Sequence, residues 1–272
     1  MSFKFSFPIV LNNKTIKLRE LSFYEYKDIC KSFFSQNNAK EINNTFNKIL
    51  NCCILEQVPL NILEKIVLLI NIRALTLGKE VKVNYDNKAI NLDTSFLLSK
   101  LSYDKKPLDY TYDNMVLTFG LPCDFIINEN DVVDCIVSSL ISLKVEEKNI
   151  DVEGFTKEQK VLLLNSLPSI PLLDVYKAII ENCKSFNLTI PALGDFQLNL
   201  FDPSFLFFLK FIFDEKIETV MDLEYNLRRH LNMNSVDLAT ITYPESKIML
   251  TKYAKEMKEK SAPEGGKPGN QA

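Results

Sequence analysis

The 272-residue chain is poor in the residue types on which most enzyme sites depend. Glycine occurs 7 times, and Gly265, Gly266 and Gly269 fall in the final stretch. The other four (Gly78, Gly120, Gly154 and Gly194) are more than 30 residues apart. Phosphate-cradling loops need clustered glycines so that backbone N–H groups can reach the anion. A P-loop, a dinucleotide fingerprint and a G-x-S-x-G elbow are therefore absent. His230 is the sole histidine, so no paired-histidine metal site can be built, and the commonest general base is nearly missing. Tryptophan does not occur. Arginine is limited to Arg19, Arg73, Arg228 and Arg229 among 32 basic residues, and the net charge is −3. Bidentate reading of phosphate or guanine favours arginine, so a dedicated nucleic-acid binder is not expected.

Long apolar runs are lacking too. The longest, Phe205 to Phe213, is broken by Lys210, and a bilayer helix needs about 20 residues. The N-terminal MSFKFSF has no basic region followed by an apolar core, so no signal peptide is read there. The six cysteines (Cys30, Cys52, Cys53, Cys123, Cys135 and Cys183) form no C-x-x-C pair. They are expected to be reduced and mostly buried. No metal, cofactor or small-molecule substrate is expected, and no membrane or nucleic-acid partner.

What is present is ordinary globular material. Hydrophobic residues make up 46% and charged residues 25%, enough for one large or two small domains. Residues 3–19 alternate as a hairpin around Asn12-Asn13-Lys14. Ser22 and Glu25 form a capping box that opens a helix, with Leu21 and Tyr26 as a hydrophobic staple. Helices are expected at 38–56 and 60–77. In the second, Leu63, Ile66, Val67, Ile70, Ala74 and Leu77 make a stripe, and Gly78 is the stop. A second hairpin spans 80–92, followed by a short helix at 94–102 and a strand near 110–119.

From residue 128 the chain reads as helices at 130–143, 156–166, 171–184, 203–215, 217–231, 234–239 and 244–260. Thr156 and Gln159 form another capping box, and Asp202-Pro203 is an N-cap followed by proline. One hairpin interrupts, over 187–200, turning at Leu193-Gly194-Asp195. The expected fold class is α+β and predominantly helical. A hairpin-rich N-terminal lobe (1–127) precedes a helical C-terminal lobe (128–260) carrying one inserted hairpin. A disordered tail (261–272) follows, too polar to bury surface.

Few residues stand out as sites. His230 follows two arginines at a helix end, where a cation complements the dipole. The pairs Asp131/Asp134, Glu146/Glu147 and Asp214/Glu215 read as caps and solvated faces. A carboxylate-dependent hydrolase would instead need them to converge in a polar cleft. Five phenylalanines in the run 205–213 form a helix apolar on nearly every side. Such a helix sits in a core or against a partner. The last helix carries Leu250, Tyr253, Ala254 and Met257 on one stripe, either packed at home or laid in a partner's groove. The candidate partner-binding residues are Phe207, Phe208, Phe211, Leu250, Tyr253 and Met257.

Three sets of segments, in this order, carry a family resemblance. The first runs from Lys17 to Lys27 (KLRELSFYEYK). The second joins Phe155 to Gln159 (FTKEQ), the Leu167-Pro168 break, Cys183 to Ile190 (CKSFNLTI) and the cluster Phe205–Phe208. The third is Tyr225 to Leu231 (YNLRRHL) with Thr242 to Glu245 (TYPE). Together they resemble the baseplate hub assembly proteins of T-even-type contractile-tailed bacteriophages. Phe186 stands where a second cysteine would complete a C-x-x-C with Cys183, so no metal role is carried over. The resemblance implies a non-enzymatic assembly chaperone or minor hub subunit. Its partners would be phage tail proteins, the baseplate hub and the tape measure among them. It would work in the host cytoplasm during assembly or in the virion baseplate. A tape-measure chaperone is the alternative within the same biology.

Overall fold

Alternation and caps set the first elements. Strand β1 (Phe7–Leu11) pairs antiparallel with β2 (Lys14–Leu18), with Ile9 opposite Ile16. The computed structural model describes residues 5–261 apart from 12–13, 36–37, 86–87, 102–106, 124–131, 147, 153, 167–170, 185–186, 190–196, 200–201 and 214. The expected turn residues Asn12 and Asn13, and the tail beyond Ser261, lie outside the described residues. Phe5 precedes β1 and is exposed rather than continuing the apolar face.

Helix α1 (Phe23–Ser35) starts on the expected box. The Glu25 backbone N–H donates to Ser22 Oγ at 3.3 Å, and the Ser22 N–H donates to Glu25 Oε2 at 2.9 Å. Helices α2 (Ala39–Cys53) and α3 (Ile62–Leu77) follow. Asn61 and Glu64 form a further capping box for α3, and Gly78 ends it at φ 91°, a backbone angle that favours glycine. Strands β3 (Glu80–Tyr85) and β4 (Lys88–Asp93) make the second hairpin, and α4 (Thr94–Ser99) is capped by Asp93.

The next stretch corrects the sequence reading. The strand expected near 110–119 is itself a hairpin, β5 (Leu108–Tyr112) and β6 (Met115–Phe119), turning at Asp113 with φ 50°. The helix expected over 130–143 ends early. Helix α5 (Val132–Ser139) gives way directly to β7 (Leu140–Val145) and then β8 (Lys148–Asp151). The run 132–145 is rich in valine and isoleucine, and periodicity alone cannot separate helix from strand in so short an apolar run. Pairing with β6 decides it, and the four strands form one antiparallel sheet in the order β5-β6-β7-β8. Strand β6 buries Met115, Leu117 and Phe119 on one face. The β6–β7 pairing runs across the boundary expected at 127/128.

The remaining helices stand close to where periodicity placed them: α6 (Lys157–Ser166), α7 (Leu172–Lys184), α8 (Pro203–Phe213), α9 (Ile217–Leu231), α10 (Ser235–Thr240) and α11 (Tyr243–Ser261). Strands β9 (Asn187–Thr189) and β10 (Gln197–Asn199) form the inserted hairpin, with Leu188 opposite Leu198. Its expected turn, Leu193-Gly194-Asp195, lies outside the described residues. The architecture is α+β, predominantly helical, with small antiparallel sheets.

The core gathers around α3. Its buried face is wider than a stripe: Leu68, Leu69 and Ile72 are buried as well as Leu63, Ile66, Val67 and Ile70. Neighbours on several sides explain this, since α2, α4, α8 and α11 all contact it. Burying each such side chain contributes about 1.5–3 kcal/mol. Phe33, Phe46 and Phe213 extend the core between α1, α2 and α8, with ring centroids 5.5 and 5.9 Å apart.

Candidate functional site

The first and last resemblance segments meet in space. The capping box of α1 and that of α11 (Thr242 with Glu245) stand back to back. The Phe23 N–H donates to Ile241 O at 2.9 Å, and the Tyr243 N–H donates to Leu21 O at 3.0 Å. Beside them, Lys27 of α1 pairs with Glu224 of α9, and Arg228 bridges Glu224 at 3.0 Å to Tyr24 and Ser235. Burial pushes Glu224 up, but the bonds from Lys27 and Arg228 outweigh it and leave its pKa below the ordinary carboxylate value. Glu25 behaves alike. Burial is opposed by a two-pronged bond from Arg19, 2.7 Å on each arm, and by the Ser22 N–H, and its pKa is lowered.

A second polar junction closes the C-terminal end of α8, whose last carbonyls have no partner within the helix. The Tyr26 hydroxyl donates to Phe213 O at 3.0 Å, and Arg73 Nε donates to Ile212 O at 3.0 Å. The other guanidinium nitrogens of Arg73 donate to Gly78 O and, at 2.9 Å, to Glu80 O. Arg73 is 6% exposed. Burial holds its pKa below the ordinary guanidinium value. The Tyr243 hydroxyl and Lys247 Nζ (3.3 Å) both donate to Glu215.

Over this junction opens a cleft of about 840 Å³. Its apolar walls are Phe34, Leu77, Val81, Phe211 and Ile217, and Arg73 lies on its floor. Lys82, Lys216 and Lys247 stand on the rim with Glu215 and Glu218. Phe34 is 73% exposed and Phe211 47% exposed, a large apolar area to leave in water without a partner.

The sequence-chosen residues divide. On α8, Phe205 and Phe213 are buried, Phe208 is partly covered with its ring 5.8 Å from that of Phe205, and Phe207 and Phe211 face solvent. On α11, Leu250 packs against the core and Tyr253 stacks on His230 at 5.3 Å. From Ala254 to Lys260 every residue is exposed, Met257 included. Phe211 shares the cleft with Phe34 of α1 and Lys247 of α11. Phe34 escaped the sequence reading because it adjoins Phe33, which ends the buried stripe of Phe23, Tyr26, Ile29 and Cys30.

The carboxylate pairs do not assemble a site among the described residues. Asp134 on α5 pairs with Lys157 at 2.8 Å, Glu146 occupies a left-handed turn after β7, and Glu215 is held by Tyr243 and Lys247. Asp131, Glu147 and Asp214 lie outside the described residues. No group of three or more histidine, cysteine or acidic residues within those residues could hold a metal ion. Cys30, Cys52, Cys53, Cys123 and Cys135 are not in disulfide bonds. Burial pushes the Cys52 and Cys53 thiols up, so neither is a ready nucleophile. No helix among the described residues is long and apolar enough to cross a membrane.

No curated protein and no solved structure matches the chain. A family model, described as T4 bacteriophage base plate protein, matches residues 2–193. That span holds the opening hairpin, the core helices α1 to α3, the four-stranded sheet and one side of the cleft, from Phe34 to Lys82. The match covers well over half of the sequence, and the chain belongs to the T4 bacteriophage base plate protein family.

Proposed function

We propose that this protein acts in building the central hub of the phage baseplate, as an assembly chaperone or minor hub subunit working through protein–protein contacts. The family match over residues 2–193 carries the reading. Three surface features support it: Phe207 and Phe211 facing solvent, Phe34 standing out at the cleft, and the last two turns of α11 projecting without cover. Aromatic side chains concentrate at protein interfaces, and a helix with an uncovered stripe suits a partner's groove. Of the residues singled out for partner binding, Phe207, Phe211 and Met257 are free to meet one. Phe208, Leu250 and Tyr253 are partly committed to the protein's own packing.

Co-expression with the phage's hub and tape-measure proteins, followed by pull-down, tests the reading. The expected result is co-purification with a hub protein, weakened by Phe207→Ser with Met257→Ser. Retention of no tail protein would count against it. Mass spectrometry of purified virions then separates the two forms of the proposal, since a chaperone leaves the particle and a minor subunit stays.

A further inference from the structure

The charge around the cleft says what kind of segment fits it. The chain as a whole is net negative, yet four of the six charged residues lining the cleft are cations: Arg73, Lys82, Lys216 and Lys247. Glu215, one of the two acids, is already engaged by Tyr243 and Lys247. Lys82 and Lys216 are exposed and have no carboxylate partner among the described residues. Arg73 spends its donors on carbonyl oxygens. The helix ends it caps carry only about half a unit of negative charge, so they offset its full charge in part. A cleft lined by one sign of charge between low-dielectric walls focuses that field. The walls offer the complementary half of the recognition: two exposed phenylalanine rings with aliphatic Leu77, Val81 and Ile217 between and beside them.

We infer that the cleft is a docking groove for an acidic, apolar segment of another tail protein, its carboxylates on Lys82 and Lys216 and its apolar side chains between Phe34 and Phe211. This rests on the assembly reading above and names the chemistry of the partner. The occupant inserts aliphatic or aromatic side chains over the α8 end, and opposite charge sets its register.

The test uses the full chain and fluorescein-labelled short peptides tiling the tail proteins of the same phage, with binding read by anisotropy. Peptides that bind carry net negative charge and several apolar residues. Lys82→Glu with Lys216→Glu weakens them by at least about tenfold, and exchanging the peptide's acids for lysines restores binding to that reversed variant. Phe34→Ser weakens binding to a similar degree. All three positions are exposed, so an unchanged thermal melt shows that the fold is intact. Binding only by neutral or basic peptides, indifference to both variants, or no binding at all would overturn the inference. So would a concentration-dependent dimer abolished by Phe34→Ser, which would make a second copy the occupant. The two proposals fail separately. If Phe34→Ser and the charge-reversed variant retain full-length tail proteins as the wild type does, the cleft assignment falls and the assembly role stands. If the wild type retains none, the assembly role falls as well.

Discussion

Helices α3 and α6 are buried to very different depths. Among the residues of α3, eleven are buried, and apolar contacts on several sides fix it in place. Helix α6 buries one residue, Lys160, while its Leu162 is 69% exposed. Lys160 Nζ donates at 2.7 Å to Leu140 O, where α5 ends and β7 begins. A cation there meets the negative end of the α5 dipole. One helix is thus a structural centre, and the other lies at the margin: Leu163 and Leu164 pack partly against the core, Leu162 is uncovered, and the one fully buried residue is a cation. The contrast teaches that burial follows both apolar content and neighbours: α3 is apolar on most sides and meets α2, α4, α8 and α11, whereas the short Leu162–Leu164 run of α6 is covered only in part.

The sharpest way to break the comparison is to cut into α3. Ile66→Ala should cost about 2–5 kcal/mol in urea unfolding, because a cavity adds to the lost burial. Next in size is Arg73→Met. It strands the buried carbonyl of Ile212, an unpaired acceptor costing about 1–3 kcal/mol, and removes the part-buried bonds to Gly78 and Glu80, and a lowered urea midpoint is the expected reading. Lys160→Met should cost about 1.5–3 kcal/mol, the range for a hydrogen bond made by a charged donor. Its signature is local: amide exchange should quicken across α6 and leave α3 unchanged. If α3 loosened equally, the marginal placing of α6 would be wrong.

A smaller effect follows from acid. The folded pKa values of Glu25 and Glu224 lie below their unfolded ones. Their stabilisation is complete above the unfolded carboxylate value of about 4.3 and is lost as pH falls through the lower folded values. Glu25→Gln should flatten the stability profile below that point, as followed by circular dichroism. Last, Leu162→Ser on α6 should change stability by no more than about 0.5 kcal/mol. A substantial loss there would show that the Leu162 face of α6 is packed as well.

Local chemistry was legible in the sequence, and the assembly of distant pieces was not. Both capping boxes read from the sequence form, Ser22 with Glu25 and Thr156 with Gln159, and Thr242 with Glu245 forms a further one. Each needs only residues three apart. The inserted hairpin was readable from alternating leucines. The four-stranded sheet was not, because the run 132–145 satisfies helix and strand alike until β6 offers its edge. The cleft was further out of reach. Its walls come from α1, α3, β3, the α8–α9 connection and α11, and no local pattern links them. Phe211 could be picked from composition, but Phe34 gains meaning only once the fold sets both on one opening.

The twin caps at Ser22 and Thr242 bear on synthesis. The backbone that launches α1 is completed by groups at Ile241 and Tyr243, which leave the ribosome long after α1 itself. Domains tend to fold as units from the N-terminus while translation proceeds. Here the opening helix must wait, its first turn unsealed, until the final helix emerges. A nascent chain arrested before Thr242 should therefore remain open to proteases around residues 20–26, and release of a few more residues should close that window.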